Sequence, residues 1–329
     1  MGEIWIPVLV IGGLGGIFGL ALAYVSKVFY VKIDERIEKI IAVLPGANCG
    51  ACGFAGCSNY ADVIVKKDID FTLCPPGGST TAGKIAEIMG KVATETERRI
   101  AIIHCSSGGY KNTVYRFEYQ GIPNCQAAAL LNNGPNACNM GCLYQNDCIA
   151  ACKFGAITLT KDGLKEIDNN KCTGCGNCAK VCPKNLIEIV PVSRNVYVKC
   201  SSTEKGTFVR QNCGDKSPCV SCGLCVRKCP VSAIEIKNEL AVIDYEKCID
   251  CGVCAIHCPT RAIIDTKTKR GKAVISEIDC IGCLICTKIC PVLCISGELK
   301  QPHKIDDFKC IGCEVCLPEC PQNAIYMKY

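Results

Sequence analysis

Aromatic side chains are scarce in this 329-residue chain, at 6% with a single tryptophan. The length allows two or three domains, but so few large rings leave little material for conventional cores. Cohesion must come from elsewhere. Motifs of nucleotide and acyl chemistry are also missing. No Gly-x-Gly-x-x-Gly follows a strand pattern, no Gly-x-Ser-x-Gly occurs, and no acid pair has a base partner. By this reading the chain binds no flavin and no NAD of its own. Basic residues never form a block of five or six, which argues against nucleic acid. The net charge of +6 is spread along the chain, as on a solvated surface that would attract an acidic carrier protein.

Cysteine, by contrast, occurs 33 times. Cys172, Cys175, Cys178 and Cys182 are separated by two, two and three residues, and Pro183 follows. The same spacing and proline recur at Cys219, Cys222, Cys225, Cys229; at Cys248, Cys251, Cys254, Cys258; at Cys280, Cys283, Cys286, Cys290; and at Cys310, Cys313, Cys316, Cys320. This is the bacterial ferredoxin spacing for [4Fe–4S] clusters, in which the fourth cysteine reaches the neighbouring cluster. Disulfides fit poorly, because a bridge needs a specific separation and orientation of its two Cβ atoms. Metal-binding energy is folding energy in such modules, so the repeats are expected not to fold without iron.

Residues 4–26 carry no charge over 23 positions, enough for one membrane-spanning helix. Pro7 stands near the start, where a helix tolerates it, and Trp5 and Tyr24 lie near the two ends. A cleaved signal peptide is the alternative, weakened by the absent basic n-region and by the length. Only Glu3 precedes the span, whereas Lys27, Lys32, Arg36 and Lys39 follow it. The positive-inside rule puts the remainder in the cytoplasm, where exposed thiolates survive. Gly12, Gly16, Gly19 and Ala23 share one helix face, which either admits a second membrane helix or is simply a glycine-rich anchor.

After an amphipathic stretch from Ile33 to Leu44, the chain reads LPGANCGACGFAGC. Cys49, Cys52 and Cys57, with Cys74 farther on, form a second type of four-cysteine set. Gly50, Gly53 and Gly56 let the backbone fold tightly over a cluster; zinc is the alternative occupant. Ile85, Ile88, Met89 and Val92 predict an amphipathic core helix over 82–97. Residues 100–103 read as a short buried strand, and 123–132 as a short helix.

The first repeat is irregular. Cys138, Cys142, Cys148 and Cys152 have gaps of three, five and three, and Lys153 replaces the proline. Its continuation, CKFGAITL, nevertheless matches CPKNLIEI and CPVSAIEI, so the repeat is about thirty residues long. Six units group into three modules with exchanged fourth cysteines. Cys138, Cys142, Cys148 and Cys182 would hold one cluster, and Cys172, Cys175, Cys178 and Cys152 its neighbour. The second module would use Cys219, Cys222, Cys225 and Cys258, beside Cys248, Cys251, Cys254 and Cys229. The third would use Cys280, Cys283, Cys286 and Cys320, beside Cys310, Cys313, Cys316 and Cys290. With the glycine-rich set this makes seven [4Fe–4S] clusters. Cys294 stands at a small core position and reads as a packing thiol. Cys105, Cys125, Cys200 and Cys213 either remain unliganded or assemble an eighth cluster if their segments meet. His104, His257 and His303 share no spacing, and only His104, beside Cys105, invites inspection.

The expected fold is α+β: one N-terminal transmembrane helix (1–30), a small [4Fe–4S] domain (31–80) and a connecting segment (81–136). Three ferredoxin-like two-cluster modules follow at 137–190, 218–268 and 269–329, with an interruption at 191–217. The anchor (4–26), the LPGANCGACGFAGC…C domain (45–74) and the first pair with its CNMGCLYQNDCIAAC unit (138–182) resemble, in that order, the B subunit of the Rnf complex. The resemblance implies a membrane-bound subunit of an ion-transporting ferredoxin:NAD oxidoreductase. Soluble ferredoxin would donate electrons to it, the other Rnf subunits and the lipid bilayer would be its partners, and Na+ or H+ would be moved. Two further modules (219–320) lengthen the relay beyond the shorter family members. Two rival readings remain: a membrane-tethered polyferredoxin feeding another reductase such as a corrinoid activator, and a zinc-binding scaffold.

Overall fold

The computed structural model describes residues 5–29, 34–93, 97–267 and 269–329. Helix α1, Trp5–Val28, is long and apolar. Its span Val8–Val28 has a mean hydropathy of 2.2 and buries nothing within the chain. Helices α2 (Glu35–Val43), α3 (Cys57–Lys67) and α4 (Gly78–Met89) pack together around Ile40, Tyr60, Ile64 and Ile85, all fully buried. Asp34 caps α2 by accepting from the Arg36 amide. The Tyr60 hydroxyl donates to the Asp70 carbonyl at 3.1 Å and accepts from the Leu73 amide at 3.2 Å. These bonds fix the loop that carries Cys74.

Helix α4 corrects the expectation for 82–97. It starts at Gly78 and stops at Met89, because Gly90 adopts a left-handed φ of 67° and caps it. Val92 therefore lies beyond the helix, 92% exposed; residues 94–96 lie outside the described part, as does Ile33. The short helix expected over 123–132 is α5, Cys125–Leu130, capped by the Asn124 side chain.

Among the described residues, twelve short strands then build three copies of one arrangement. In the first module an outer pair, β1 (Arg99–Ile103) with β4 (Ile187–Pro191), encloses an inner hairpin, β2 (Ile157–Leu159) with β3 (Lys165–Ile167). The second module pairs β5 (Val196–Val198) with β8 (Ile263–Asp265) around the hairpin β6 (Ile234–Lys237) and β7 (Leu240–Ile243). The third pairs β9 (Lys272–Ile275) with β12 (Ile325–Lys328) around β10 (Ile295–Ser296) and β11 (Lys304–Ile305). The outer strand before the first cysteine block thus returns to pair with the strand after the second. That closure joins units one and two, three and four, five and six. Strands β1 and β5 lie in segments the sequence assigns to connections, because each supplies the missing antiparallel partner of a module's last strand.

Each module has its own apolar core, in which cysteines mix with Ile, Val and Ala. Polar junctions hold neighbouring units. Lys153 donates to the Ala47 and Asn48 carbonyls, and Asn177 to the Cys49 carbonyl, tying the small domain to the first module. Between the first two modules, Arg194 lies 3.4 Å from the Tyr245 ring centroid and pairs with Glu188. Arg270, 12% exposed, holds Asp265 at 2.6 Å and Asp250 at 3.7 Å just before the third module, while Lys267 pairs with Glu314.

Replacing Arg270 with Met would leave two half-buried carboxylates unpaired, at a cost of about 2–3 kcal/mol. Hydrogen exchange is expected to accelerate around 265–271 and 310–314, with the 34–93 domain unchanged.

Candidate metal centres

The cysteine loops share a backbone device. In every regular unit the residues flanking the second cysteine are left-handed: Gly174 and Gly176, Ser221 and Gly223, Asp250 and Gly252, Gly282 and Leu284, Gly312 and Glu314. A third left-handed residue follows three positions after the fourth cysteine, at Asn185, Ser232, Arg261, Leu293 and Asn323. Turns of this kind wrap the chain around a point and aim successive thiols inward. Backbone N–H groups then reach sulfur. Leu186, Ala233, Cys294 and Ala324 donate to the Sγ atoms of Cys182, Cys229, Cys290 and Cys320, at 3.2–3.5 Å.

The first unit follows the same register, displaced from the one its spacing suggests. Tyr144 and Asn146 are its left-handed pair and Gly155 its third. They flank Gln145, which stands where a second cysteine would be. The unit therefore runs Cys142, Gln145, Cys148, Cys152, and Cys138 falls outside it. A corresponding thiol arrives from another element. Cys125, at the start of α5, donates its amide to Asp147 at 2.8 Å, and its side chain lines one cavity with Cys142, Cys148 and Cys182. The cavity that Cys142, Cys148 and Cys182 line thus takes Cys125 as its fourth cysteine, where the sequence grouping places Cys138. Of the expected set Cys105, Cys125, Cys200 and Cys213, Cys125 lies at this first-module cavity.

Elsewhere the crossing pattern is visible in the cavities. Cys152 joins Cys172, Cys175 and Cys178 around one. Cys290 joins Cys310, Cys313 and Cys316 around another, and Cys320 joins Cys280, Cys283 and Cys286 around a third. In the second module, burial and then the Cys219, Cys222 and Cys258 thiolates push Cys225 up to about 11. Cys254 is pushed up to about 12 by burial, then by Cys251, Cys248, Cys225 and Cys229. In the small domain, burial raises Cys74, with Cys52, Cys57 and Cys49 adding repulsion. Buried thiols this close together resist ionising by themselves, and cationic iron reverses that preference.

The donor sets fit a multi-iron core. Zinc would need four sulfurs at about 2.3 Å from one centre, and rings of four thiols lining a cavity suit a cubane. Two side chains without any motif in the sequence touch these rings. Lys165, 6% exposed on β3, reaches Cys142 Sγ at 3.6 Å and lies 4.7 Å from the Tyr144 ring centroid. His303, 1% exposed, places Nδ1 3.6 Å from Cys280 Sγ. Neither has a spacing signal; the register of β3 brings in Lys165, and His303 stands just before β11. His104 bonds the Val198 carbonyl and Glu188 instead, which is a structural role at the module junction. His257 is exposed. Cys294 is a buried thiol 3.4 Å from Cys290 Sγ.

Comparison with known proteins agrees with this layout. A family model described as an Fe-S cluster matches residues 44–76. Models of 4Fe-4S dicluster domains match 136–186, 171–233, 218–262, 241–296 and 279–325. Their windows overlap from unit to unit, so strand pairing, not the matches, sets the module boundaries. The chain is 41% identical over 247 residues to the B subunit of the Na+-translocating ferredoxin:NAD+ oxidoreductase complex of Acetobacterium woodii, covering 75% of this chain and 73% of that one. It is 40% identical to the B subunit of the proton-translocating complex of Clostridium ljungdahlii, over 61% of this chain and 70% of that one. The B subunit of the ion-translocating oxidoreductase complex of Methanosarcina acetivorans is 38% identical, over 63% and 78%. With the apolar helix, the small iron–sulfur domain and the dicluster modules in this order, the chain belongs to the B-subunit family of the Rnf complex.

Proposed function

We propose that this chain accepts electrons from reduced soluble ferredoxin and relays them through serial [4Fe–4S] clusters toward membrane partners and finally NAD+. The transfer drives Na+ or H+ across the bilayer that α1 anchors. The observation that carries this reading is that a fourth cysteine of one unit lines the cavity of the other, as Cys152, Cys290 and Cys320 do. Contacts continue outside modules. The Cys49 loop accepts from Asn177 of the first module, and Cys251 feels the charge of Cys313 across the second and third. Basic residues after α1 favour a cytoplasmic position for the modules, where a ferredoxin would meet them.

Seven clusters follow. Cys49, Cys52, Cys57 and Cys74 hold the first. In the first module Cys172, Cys175, Cys178 and Cys152 hold one, and Cys125, Cys142, Cys148 and Cys182 the other. The second and third modules use the sets in which Cys258, Cys229, Cys320 and Cys290 cross over. The clusters supply one-electron storage. The chain's own residues set spacing, exclude water and aim N–H groups and charges at sulfur.

A tethered polyferredoxin serving a different reductase is separated by co-purification. Mild detergent extraction is expected to recover this chain with several other integral membrane subunits; recovery alone would overturn the ion-pump reading. Within the relay, Cys175→Ala is expected to remove one cubane and cut ferredoxin-dependent NAD+ reduction severely while α1 stays in the membrane. Near-normal rates in that variant would sink the serial path.

Lys165 adds a potential-setting charge. An ammonium beside Cys142 Sγ stabilises the more negative, reduced cluster. Across roughly 6 Å at an effective dielectric of about 20, the attraction corresponds to on the order of 100 mV. Lys165→Met should move that cluster's midpoint negative by up to this amount in an EPR-monitored titration, leaving the third module's signals in place.

A further inference from the structure

Once Cys125 is seated in the first module, Cys138 is left with Cys105, Cys200 and Cys213, and three hydrogen-bonded ties bring their four segments together. Ser201, after Cys200, donates its hydroxyl to the His104 carbonyl at 2.9 Å. Ser106, after Cys105, bonds Ser217 of the Cys213 loop at 3.2 Å. Asn139, after Cys138, reaches Glu204 of the Cys200 segment at 3.4 Å. The backbones also close on one another. A Cβ added at Gly214 would run into the Asn112 carbonyl oxygen and crowd that of Ser107, so the turn after Cys213 requires glycine.

The thiols themselves are near neighbours. Cys138, Cys200 and Cys213 each lie close enough to Cys105 to feel its charge. Cys213 also feels Cys138. Each of the three accepts from the backbone N–H two residues on, at Met140, Ser202 and Asp215. The same bond occurs at the module cysteines Cys142, Cys248, Cys251 and Cys313. At Cys105 the residue two positions on, Ser107, supplies its hydroxyl at 3.5 Å. Cys105 and Cys213 are each 9% exposed. Three of the four thiols thus receive a backbone N–H of the kind that module cysteines receive, and the fourth a hydroxyl.

Building on the iron–sulfur reading above, we propose that Cys105, Cys138, Cys200 and Cys213 hold an eighth [4Fe–4S] cluster at the joint between the first and second modules. Its position fills the one gap in the row. On one side Cys142, of the first module, feels the Cys105 charge. On the other, Cys200 accepts from the Cys219 amide and feels the Cys219 thiolate, at the start of the second module. The order of clusters becomes linear. It runs from the Cys49 set through the Cys175 and Cys142 sets to the new site, then through the Cys222, Cys251, Cys313 and Cys283 sets. Cysteines from two non-repeat segments, one loop of the first module's entrance and one interruption, are thereby given a single purpose.

The test is iron and acid-labile sulfide per full-length chain, prepared anaerobically in detergent. Eight cubanes give about 32 iron atoms and seven give about 28; this count needs no substitution. Cys138→Ser and Cys213→Ser should each remove about four, and the double variant still only about four, because both thiols serve one cluster. Cys125→Ser combined with Cys213→Ser should remove about eight. A wild-type count near 28 with Cys213→Ser unchanged, zinc in place of iron at this site, or additive losses for Cys138→Ser and Cys213→Ser would each overturn the assignment. An iron-free wild-type chain would instead sink the electron-relay reading as a whole.

Discussion

A cubane needs four thiolates around it, and no continuous loop of this chain is proposed to deliver more than three to one site. Every centre therefore depends on a return of the polypeptide. In the small domain the return is α3 and the loop fixed by Tyr60, which bring Cys74 back to Cys49, Cys52 and Cys57. In the modules it is the antiparallel closure of β1 on β4, β5 on β8 and β9 on β12. Pairing the outer strands places two cysteine blocks face to face, and each fourth cysteine then belongs to the opposite ring. Secondary structure here is short because its task is to bring loops together. With aromatics so few, sulfur and iron carry much of the cohesion that a larger core would supply.

Much of this is legible in the sequence because the cysteine spacing is itself a geometric statement. Two-residue gaps with a left-handed residue on each side of the second cysteine make one kind of turn, and five blocks repeat it. Counting cysteines instead of turns misplaces the first block. Tyr144 and Asn146 occupy the left-handed positions there, and asparagine is among the residues that tolerate them. Counting back three residues from Gly155 to Cys152, four more to Cys148 and six more to Cys142 recovers the register, with Gln145 standing in the second cysteine's place. That signal is present in the sequence. The seat of Cys125 is not: it depends on the Asp147 side chain accepting from its amide across 22 residues. Lys165 and His303 are invisible for a like reason, since the register of β3 and the entry to β11, not local spacing, bring them to sulfur.

The junctions between modules use a different chemistry from the modules themselves. Inside, apolar side chains and thiols exclude water; between, paired charges and cation–ring contacts join the surfaces. Arg270, Lys267, Arg194 and Lys153 each reach across to a neighbouring loop or unit. Lys153 stands where the regular units carry proline. Its departure from the repeat has a reason in the fold, because the ammonium grips the Ala47 and Asn48 carbonyls beside Cys49. The loss of a turn-directing proline is matched by a fixed contact to the next cysteine ring.

Rigid junctions matter because electron tunnelling weakens steeply with separation, so a row of centres conducts no better than its widest gap. Three autonomous modules on flexible tethers would open and close those gaps continually. This chain instead threads residues of one unit into the next: β5 follows β4 after only four residues, His104 of the first module bonds β5, and the Cys200 segment returns to the end of β1. The irregular first unit and the long interruption are then two halves of one solution. In the proposed assignment Gln145 stands where a cysteine would be, Cys125 lines the first cavity in its stead, and Cys138 lies toward the interruption, its neighbour Asn139 bonded to Glu204. A regular unit at that position would keep its thiols within the first module, leaving the Arg194–Tyr245 and His104–Val198 contacts as joints to the second.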